Sequence, residues 1–100
     1  MRSTDLIKEF LSCYHKARGG LCMVDAVTIG KAIQELRMSR GLSQEVLSGL
    51  ANLDRTHYSK IERGLRSPTI DTIFKIANGL DMEPHEIMIA IEDAVNRKAE

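Results

Sequence analysis

The stretch from Gln44 to Arg63 constrains the fold of this chain most, because its pattern predicts two short amphipathic helices joined by a tight turn. Apolar residues recur at helical spacing in both halves, as Leu47, Leu50 and Ala51 in the first and Tyr58 and Ile61 in the second. Asn52 lies between the halves, and its short polar side chain tolerates the left-handed backbone conformation of a tight turn. Asp54 follows at a position where a carboxylate accepts hydrogen bonds from the free amides of a second helix. The sequence therefore predicts two helices that cross steeply through a short connection.

Outside that stretch, apolar residues at helical spacing predict four further helices and little or no strand. The expected helices span Thr4–Ala17, about Asp25 or Thr28 to Arg40, a segment that opens at Pro68 and Thr69 and ends at Gly79, and Pro84 to about Arg97. The expected buried face of the third of these consists of Ile70, Ile73, Phe74 and Ala77. We therefore predict an all-α fold, in which residues 1–24 form an N-terminal helical extension and residues 25–97 form one compact five-helix domain.

Three runs of residues resemble a known class of DNA-binding domain. They are LSQEVLSGLA (Leu42–Ala51), DRTHYSKIERG (Asp54–Gly64) and SPT (Ser67–Thr69). The chain resembles the Cro and phage-repressor class, also called the xenobiotic-response-element class, over roughly Thr28 to Met88. Within that class, Asn52–Thr56 and Leu80–Ile87 are similar to the controller proteins of restriction–modification systems. This resemblance implies a repressor-like helix-turn-helix domain whose second helix, the recognition helix, enters the DNA major groove.

The distribution of charge is more informative than the net charge, which is zero. Residues 28–80 carry eight Lys or Arg and five Asp or Glu, a net charge of +3. Residues 81–100 carry two and six, a net charge of −4. The segment predicted to bind DNA is therefore mildly basic, and the acidic end is expected to be a solvated face.

The sequence shows no pattern typical of a metal, redox or catalytic site. Cys13 and Cys22 form no Cys-x-x-Cys pair and lie apart from any His cluster, which favours reduced thiols. No Ser or Cys lies in a nucleophile motif, no glycine-rich phosphate loop is present, and no apolar run is long enough to span a bilayer. We expect a cytoplasmic protein that is not an enzyme and needs no metal or cofactor.

Base reading requires hydrogen-bonding side chains at the exposed start of the recognition helix. Arg55, Thr56 and His57 occupy that start, and Lys60 lies one turn further along. The resemblance implies that Arg55, Thr56 and Lys60 contact bases, and a guanidinium such as that of Arg55 can bond both O6 and N7 of guanine. His57 stands where the relatives commonly have Tyr. The alternative is that these side chains form an ordinary solvated polar face.

The resemblance also implies two supporting groups of residues. The expected contacts to the DNA backbone are Ser43, Gln44, Arg66 and Ser67. Arg37 and Glu62 correspond to a family pair in which an arginine of the first domain helix bonds a glutamate near the end of the recognition helix. A partly buried pair of this kind orients a helix rather than reading DNA, so we predict a structural role for it.

The last predicted helix carries more apolar residues than one small core usually needs. The predicted dimer interface consists of Ile87, Met88, Ile89, Ile91 and Val95. Part of this set is expected to close the core of one chain, and the rest, including Met88 or Ile89, to meet a second copy. The resembling controller proteins form their subunit contact in this region. Alternatively, Leu6, Phe10 and Tyr14 of the N-terminal segment cover it and leave a monomer.

These features together predict a sequence-specific transcriptional regulator of the repressor or controller type, which binds double-stranded DNA. Because operators for such proteins are usually pseudo-palindromic, it is expected to act as a homodimer. The alternative is a protein-interaction module, such as an antitoxin that wraps a toxin; an antitoxin of this type normally still binds its own operator.

Overall fold

The computed structural model describes residues 24–99, and within that range the chain forms five α-helices and no strand. The helices are α1 (Ala26–Ser39), α2 (Gln44–Leu50), α3 (Arg55–Glu62), α4 (Ile70–Leu80) and α5 (Pro84–Ala99). The predicted all-α, five-helix fold is confirmed, whereas the helix predicted for Thr4–Ala17 lies outside the described residues. Among the described helices, none has the length and apolar character needed to cross a membrane.

A side chain closes the first turn of each of the first four helices, which explains why they begin where they do. Asp25, Ser43, Asp54 and Thr69 accept hydrogen bonds from the amides of Thr28, Val46, His57 and Thr72, at 2.7, 3.1, 3.1 and 3.2 Å. Such caps stabilise a helix by about 1 kcal/mol each. Asn52, between α2 and α3, has a φ of 58°, so the predicted left-handed turn is confirmed.

The hydrophobic core receives residues from all five helices. α1 packs against α3 and α5, α2 packs against α3 and α4, and α4 packs against α5. The large side chains that are fully buried are Ile33, Leu47, Tyr58, Ile61, Ile76, Leu80 and Ile87. Burial of each such side chain contributes about 1.5–3 kcal/mol. Two of them, Tyr58 and Ile61, belong to α3, so the core fixes which side of that helix faces outward.

Two glycines allow helices to approach each other closely. A Cβ atom at Gly30 of α1 would lie 2.4 Å from the carbonyl oxygen of Ile61 in α3, and one at Gly79 of α4 would lie 2.9 Å from Cδ1 of Leu47 in α2. α4 continues past Gly79 to Leu80 and is capped by Asp81, which takes the left-handed conformation with a φ of 59°. The prediction that Gly79 ends this helix is therefore wrong.

The buried face predicted for α4 is partly wrong. Ile73 and Ala77 are buried as expected, but Ile70 and Phe74 are 68% and 58% exposed. The buried stripe is rotated toward Ile76 and Leu80, because α2 and α5 pack against that side. Ile70 and Phe74 lie on its flank, where no described helix covers them.

Candidate nucleic-acid interface

The burial of one side of α3 determines which of its side chains face solvent. Because Tyr58 and Ile61 are inserted into the core, the start of the helix and the side opposite the core point outward. Arg55 and Thr56 are exposed, whereas His57 and Lys60 are half-buried. The four predicted base-reading residues thus lie on the first two turns of one helix, and Thr56 and Lys60, four residues apart, share its outer face.

Ser59 lies on the same outer face, and the sequence analysis missed it. It is half-buried and is spaced three residues from Thr56 and four from Arg55, so it lies between their side chains on the helix surface. Helical spacing alone is enough to find this position. Its hydroxyl adds a donor and an acceptor to a surface that otherwise presents mainly cationic groups.

This surface is basic. Arg55, Lys60, Arg63 and Arg66 all lie in α3 or just after it, and none forms an ion pair with another residue in the range 24–99. Arg66 and Ser67, both predicted to contact the DNA backbone, are exposed in the loop between α3 and α4. Unpaired cations on an outward surface attract phosphate groups, and binding releases the counterions that the phosphates hold.

A buried carboxylate lies at the end of α3 and is bound by an arginine of α1. The Glu62 side chain is 1% exposed, and that of Arg37 is 12% exposed. Arg37 Nε donates to Glu62 Oε2 at 2.6 Å, and a second guanidinium nitrogen donates to Glu62 Oε1 at 3.2 Å. The remaining guanidinium nitrogen donates to the carbonyl of Leu42, at 2.7 Å. The predicted pair is therefore in two-pronged contact, and it also holds the loop between α1 and α2.

Two further residues bind the same carboxylate, and sequence reasoning found neither contact. The Tyr58 hydroxyl donates to Glu62 Oε2, and Gln44 Nε2 donates to Glu62 Oε1 at 2.8 Å. The four residues Arg37, Gln44, Tyr58 and Glu62, called here the Glu62 cluster, connect α1, α2 and α3. The cluster therefore links both helices of the motif to each other and to α1.

The pKa shifts in the Glu62 cluster follow from this arrangement. Burial by itself raises the pKa of Glu62, but hydrogen bonds from Arg37, Tyr58 and Gln44 outweigh it and lower that pKa below its ordinary value. Burial and the bond to Glu62 raise the pKa of Tyr58. The bond to Glu62 also raises the pKa of Arg37. Glu62 is therefore ionised and Tyr58 is neutral near pH 7, which is the charge pattern that the hydrogen bonds require.

Ser43 and Gln44, predicted to contact the DNA backbone, already have partners within the chain. The Ser43 hydroxyl caps α2, and the amide nitrogen of Gln44 is engaged by Glu62. Ser43 is nonetheless exposed and Gln44 half-buried. The hydroxyl hydrogen of Ser43 and the side-chain oxygen of Gln44 are left for other contacts.

The apolar residues of α5 divide into a buried group and an exposed group, which is the division expected from the sequence; their contact with a second copy stays a prediction. Ile87, Ile91 and Val95 are 0%, 6% and 5% exposed and belong to the core of the chain. Met88 and Ile89 are 47% and 50% exposed. Of the five predicted residues, Met88 and Ile89 are therefore the two with enough exposed surface to contact a second copy.

Comparison with known proteins identifies the class that this fold and surface define. A helix-turn-helix family model matches residues 33–87, more than half of the chain. The chain therefore belongs to the helix-turn-helix family.

Several relatives are control or controller proteins. The chain is 37% identical over 60 residues to the control protein C.BamHI of Bacillus amyloliquefaciens, with 59% of this chain and 74% of that protein covered. It is similar in structure to the restriction–modification controller protein C.AhdI from Aeromonas hydrophila, with a TM-score of 0.60, 44% identity, and coverage of 62% of this chain and 94% of that chain. The controller protein C.Esp1396I, solved as a tetramer in complex with its natural 35 base-pair operator, matches with a TM-score of 0.65, 30% identity, and coverage of 70% and 93%.

Proposed function

We propose that this protein is a dimeric, sequence-specific transcriptional regulator that binds double-stranded DNA in the manner of the restriction–modification controller proteins. The observation that carries this proposal is the outward, basic surface of α3, a helix that the Glu62 cluster links to α1 and α2. The similarity to C.Esp1396I, a controller solved on its operator, supports the same conclusion.

In this proposal, α3 enters the major groove and its first two turns face base edges. Arg55 bonds O6 and N7 of a guanine, and Thr56 offers a methyl group to thymine or a hydroxyl to a base. His57, Ser59 and Lys60 contribute further polar contacts along the groove. Each good two-pronged contact discriminates against the wrong base by about 1–3 kcal/mol.

Residues outside the base-reading face of α3 hold the protein on the DNA backbone. Arg66 and Ser67 follow α3 in the chain, and Ser43 and Gln44 lie at the start of α2, where Gln44 contacts Glu62 at the end of α3. These contacts position α3 without reading sequence. Two copies joined through Met88 and Ile89 of α5 present two recognition helices to half-sites about one helical turn apart, which requires a pseudo-palindromic operator.

Selection of bound duplexes from a random DNA pool tests the assignment. The wild type is expected to enrich one pseudo-palindromic sequence. Arg55→Ala is expected to weaken binding to that sequence by about 1–3 kcal/mol and to relax the preference at one base pair of each half-site. Arg66→Ala is expected to weaken binding to all sequences similarly and to lower the slope of log K against log salt by about 1 per protomer.

Arg97→Ala provides the matched control, because it removes the same charge from an exposed position on α5. It is expected to leave both the selected sequence and the affinity near those of the wild type. A wild type that enriches no sequence, or an Arg55→Ala variant that keeps full preference at every base pair, would contradict the assignment.

A further inference from the structure

The exposed face of α5 has a specific order of side chains. His85, Met88, Ile89 and Glu92 are all exposed, and their spacing of three, one and three residues places them on one side of the helix. Together with Val24 they border a shallow groove whose base includes Ile91 and Val95. These four residues of α5, called here the seam, have two apolar side chains at the centre and a polar side chain at each end.

The side of α5 next to the seam packs into the core. Ile87, Ile91 and Val95 are buried against the rest of the chain, and α5 packs on both α1 and α4. The helix that carries the seam is therefore anchored to the rest of the chain. An exposed apolar centre with a polar rim is the pattern of a protein contact surface.

The order of the seam is complementary to itself under two-fold symmetry. In an antiparallel pair of α5 helices with the symmetry axis between Met88 and Ile89, residues at equal distances from the axis face each other. Met88 then faces Ile89 of the partner subunit, and His85 faces Glu92 of the partner subunit. If the axis is moved one turn toward the start of the helix, the two His85 side chains face each other instead. If it is moved one turn toward the end, the two Glu92 side chains face each other, and their repulsion costs binding energy.

Neither polar residue of the seam can satisfy the other within one chain. They are seven residues apart, which is about 10.5 Å along a helix and too far for a hydrogen bond. Within residues 24–99, neither side chain takes part in a hydrogen bond or an ion pair.

We propose that the dimer is formed by antiparallel α5 helices in the register that pairs His85 with Glu92 of the partner subunit on both sides of a Met88–Ile89 centre. This proposal rests on the proposed dimeric regulator and adds the register of its contact and the residues that select it. The apolar centre supplies most of the contact, and the two polar pairs favour this register over the shifted ones.

A mixing experiment with two complementary variants tests the register. His85→Glu places an acidic group against Glu92 of the partner subunit at both ends of its own homodimer. Glu92→Lys removes the carboxylate that His85 bonds at both ends. We expect the dissociation constant of each homodimer to rise about tenfold, because each loses two symmetry-related pairs and His85→Glu also opposes like charges.

The mixture of the two variants is expected to recover dimerisation. In the mixed dimer, the introduced acidic and basic groups face each other at one end, and the native His85 and Glu92 face each other at the other. Native mass spectrometry of the mixture should show the mixed dimer well above the half expected from random association. Sedimentation analysis should give a dissociation constant for the mixed dimer that is within about threefold of the wild-type value.

Asp93→Lys is the matched control, because it makes the same charge change at the next residue, which lies off the seam beside Ala90 and Arg97. When mixed with His85→Glu, it should give no excess of mixed dimer. If Met88→Glu abolishes the wild-type dimer but the complementary variants show no preference for each other, the seam is correct and the register is overturned. If Met88→Glu leaves the dimer intact, the α5 contact itself fails, and with it the dimer interface of the proposed function.

Discussion

Replacing Glu62 by Gln tests whether the Glu62 cluster holds the helix-turn-helix together. The carboxylate accepts four hydrogen bonds, two from Arg37 and one each from Tyr58 and Gln44. Gln keeps the size of the side chain but removes the charge. Its NH2 group replaces one of the two acceptor oxygens and therefore points at groups that are themselves hydrogen-bond donors. Bonds to a charged group contribute about 1.5–3 kcal/mol and neutral ones about 0.5–1.5, while an unsatisfied buried donor costs about 1–3.

The expected loss in the free energy of unfolding for Glu62→Gln is therefore about 2–4 kcal/mol, which lowers the melting temperature of a domain of this size by at least about 8 °C. Glu35→Gln is the control, because Glu35 is 67% exposed and its closest ion-pair distance, to Arg97, is 3.8 Å. That change should stay within about 0.5 kcal/mol. Urea titrations and thermal melts followed by circular dichroism measure both. Equal, small losses in the two variants would refute the assigned role of the cluster.

Further predictions concern the packing of helices and the dependence of stability on pH. Gly30→Ala should destabilise the domain by about 1–3 kcal/mol, because its Cβ meets backbone atoms of α3. Gly49→Ala, which has open space around its Cβ, should stabilise the domain by about 0.5–1 kcal/mol. Denaturant titrations distinguish the two variants, and equal effects would contradict the close contact between α1 and α3. Folding lowers the pKa of Glu62. The contribution of Glu62 to stability is therefore present above the unfolded pKa of about 4.3 and is lost as the pH falls through the folded pKa. Below about pH 5, the stability of the wild type should consequently decline more steeply than that of Glu62→Gln. Parallel slopes in melts between pH 3 and pH 7 would contradict the lowered pKa.

The features that depend on local sequence are the ones that the sequence predicted well. Asp54 caps α3 and Asn52 takes the left-handed conformation because each effect involves residues within three positions along the chain. The pattern of apolar residues from Gln44 to Arg63 was strong enough to locate both helices of the motif. The structure also brings together Arg37 and Glu62, the pair that the resemblance implied.

The features that depend on packing between distant segments were predicted less well. Gln44 is 18 residues from Glu62 along the chain, so no local pattern indicates that its amide binds the carboxylate. Ile70 and Phe74 fit a helical stripe, but the positions of α2 and α5 decide which flank of α4 is covered. Likewise, the number of apolar residues in α5 indicates a surplus, but only the packing on α1 and α4 separates Ile87 from Met88. Gly79 was interpreted as a helix end, although its lack of a side chain serves the approach of α2 instead.

Footprinting of the wild type on its selected DNA, together with the mass of the complex, tests the central claim most directly. The claim is that two copies read one pseudo-palindromic site through α3. It predicts two protomers per site and two protected major-groove segments centred about 10–10.5 base pairs apart, on the same face of the duplex. Protection of a single segment by one protomer, or equal protection of unrelated sequences, would contradict it.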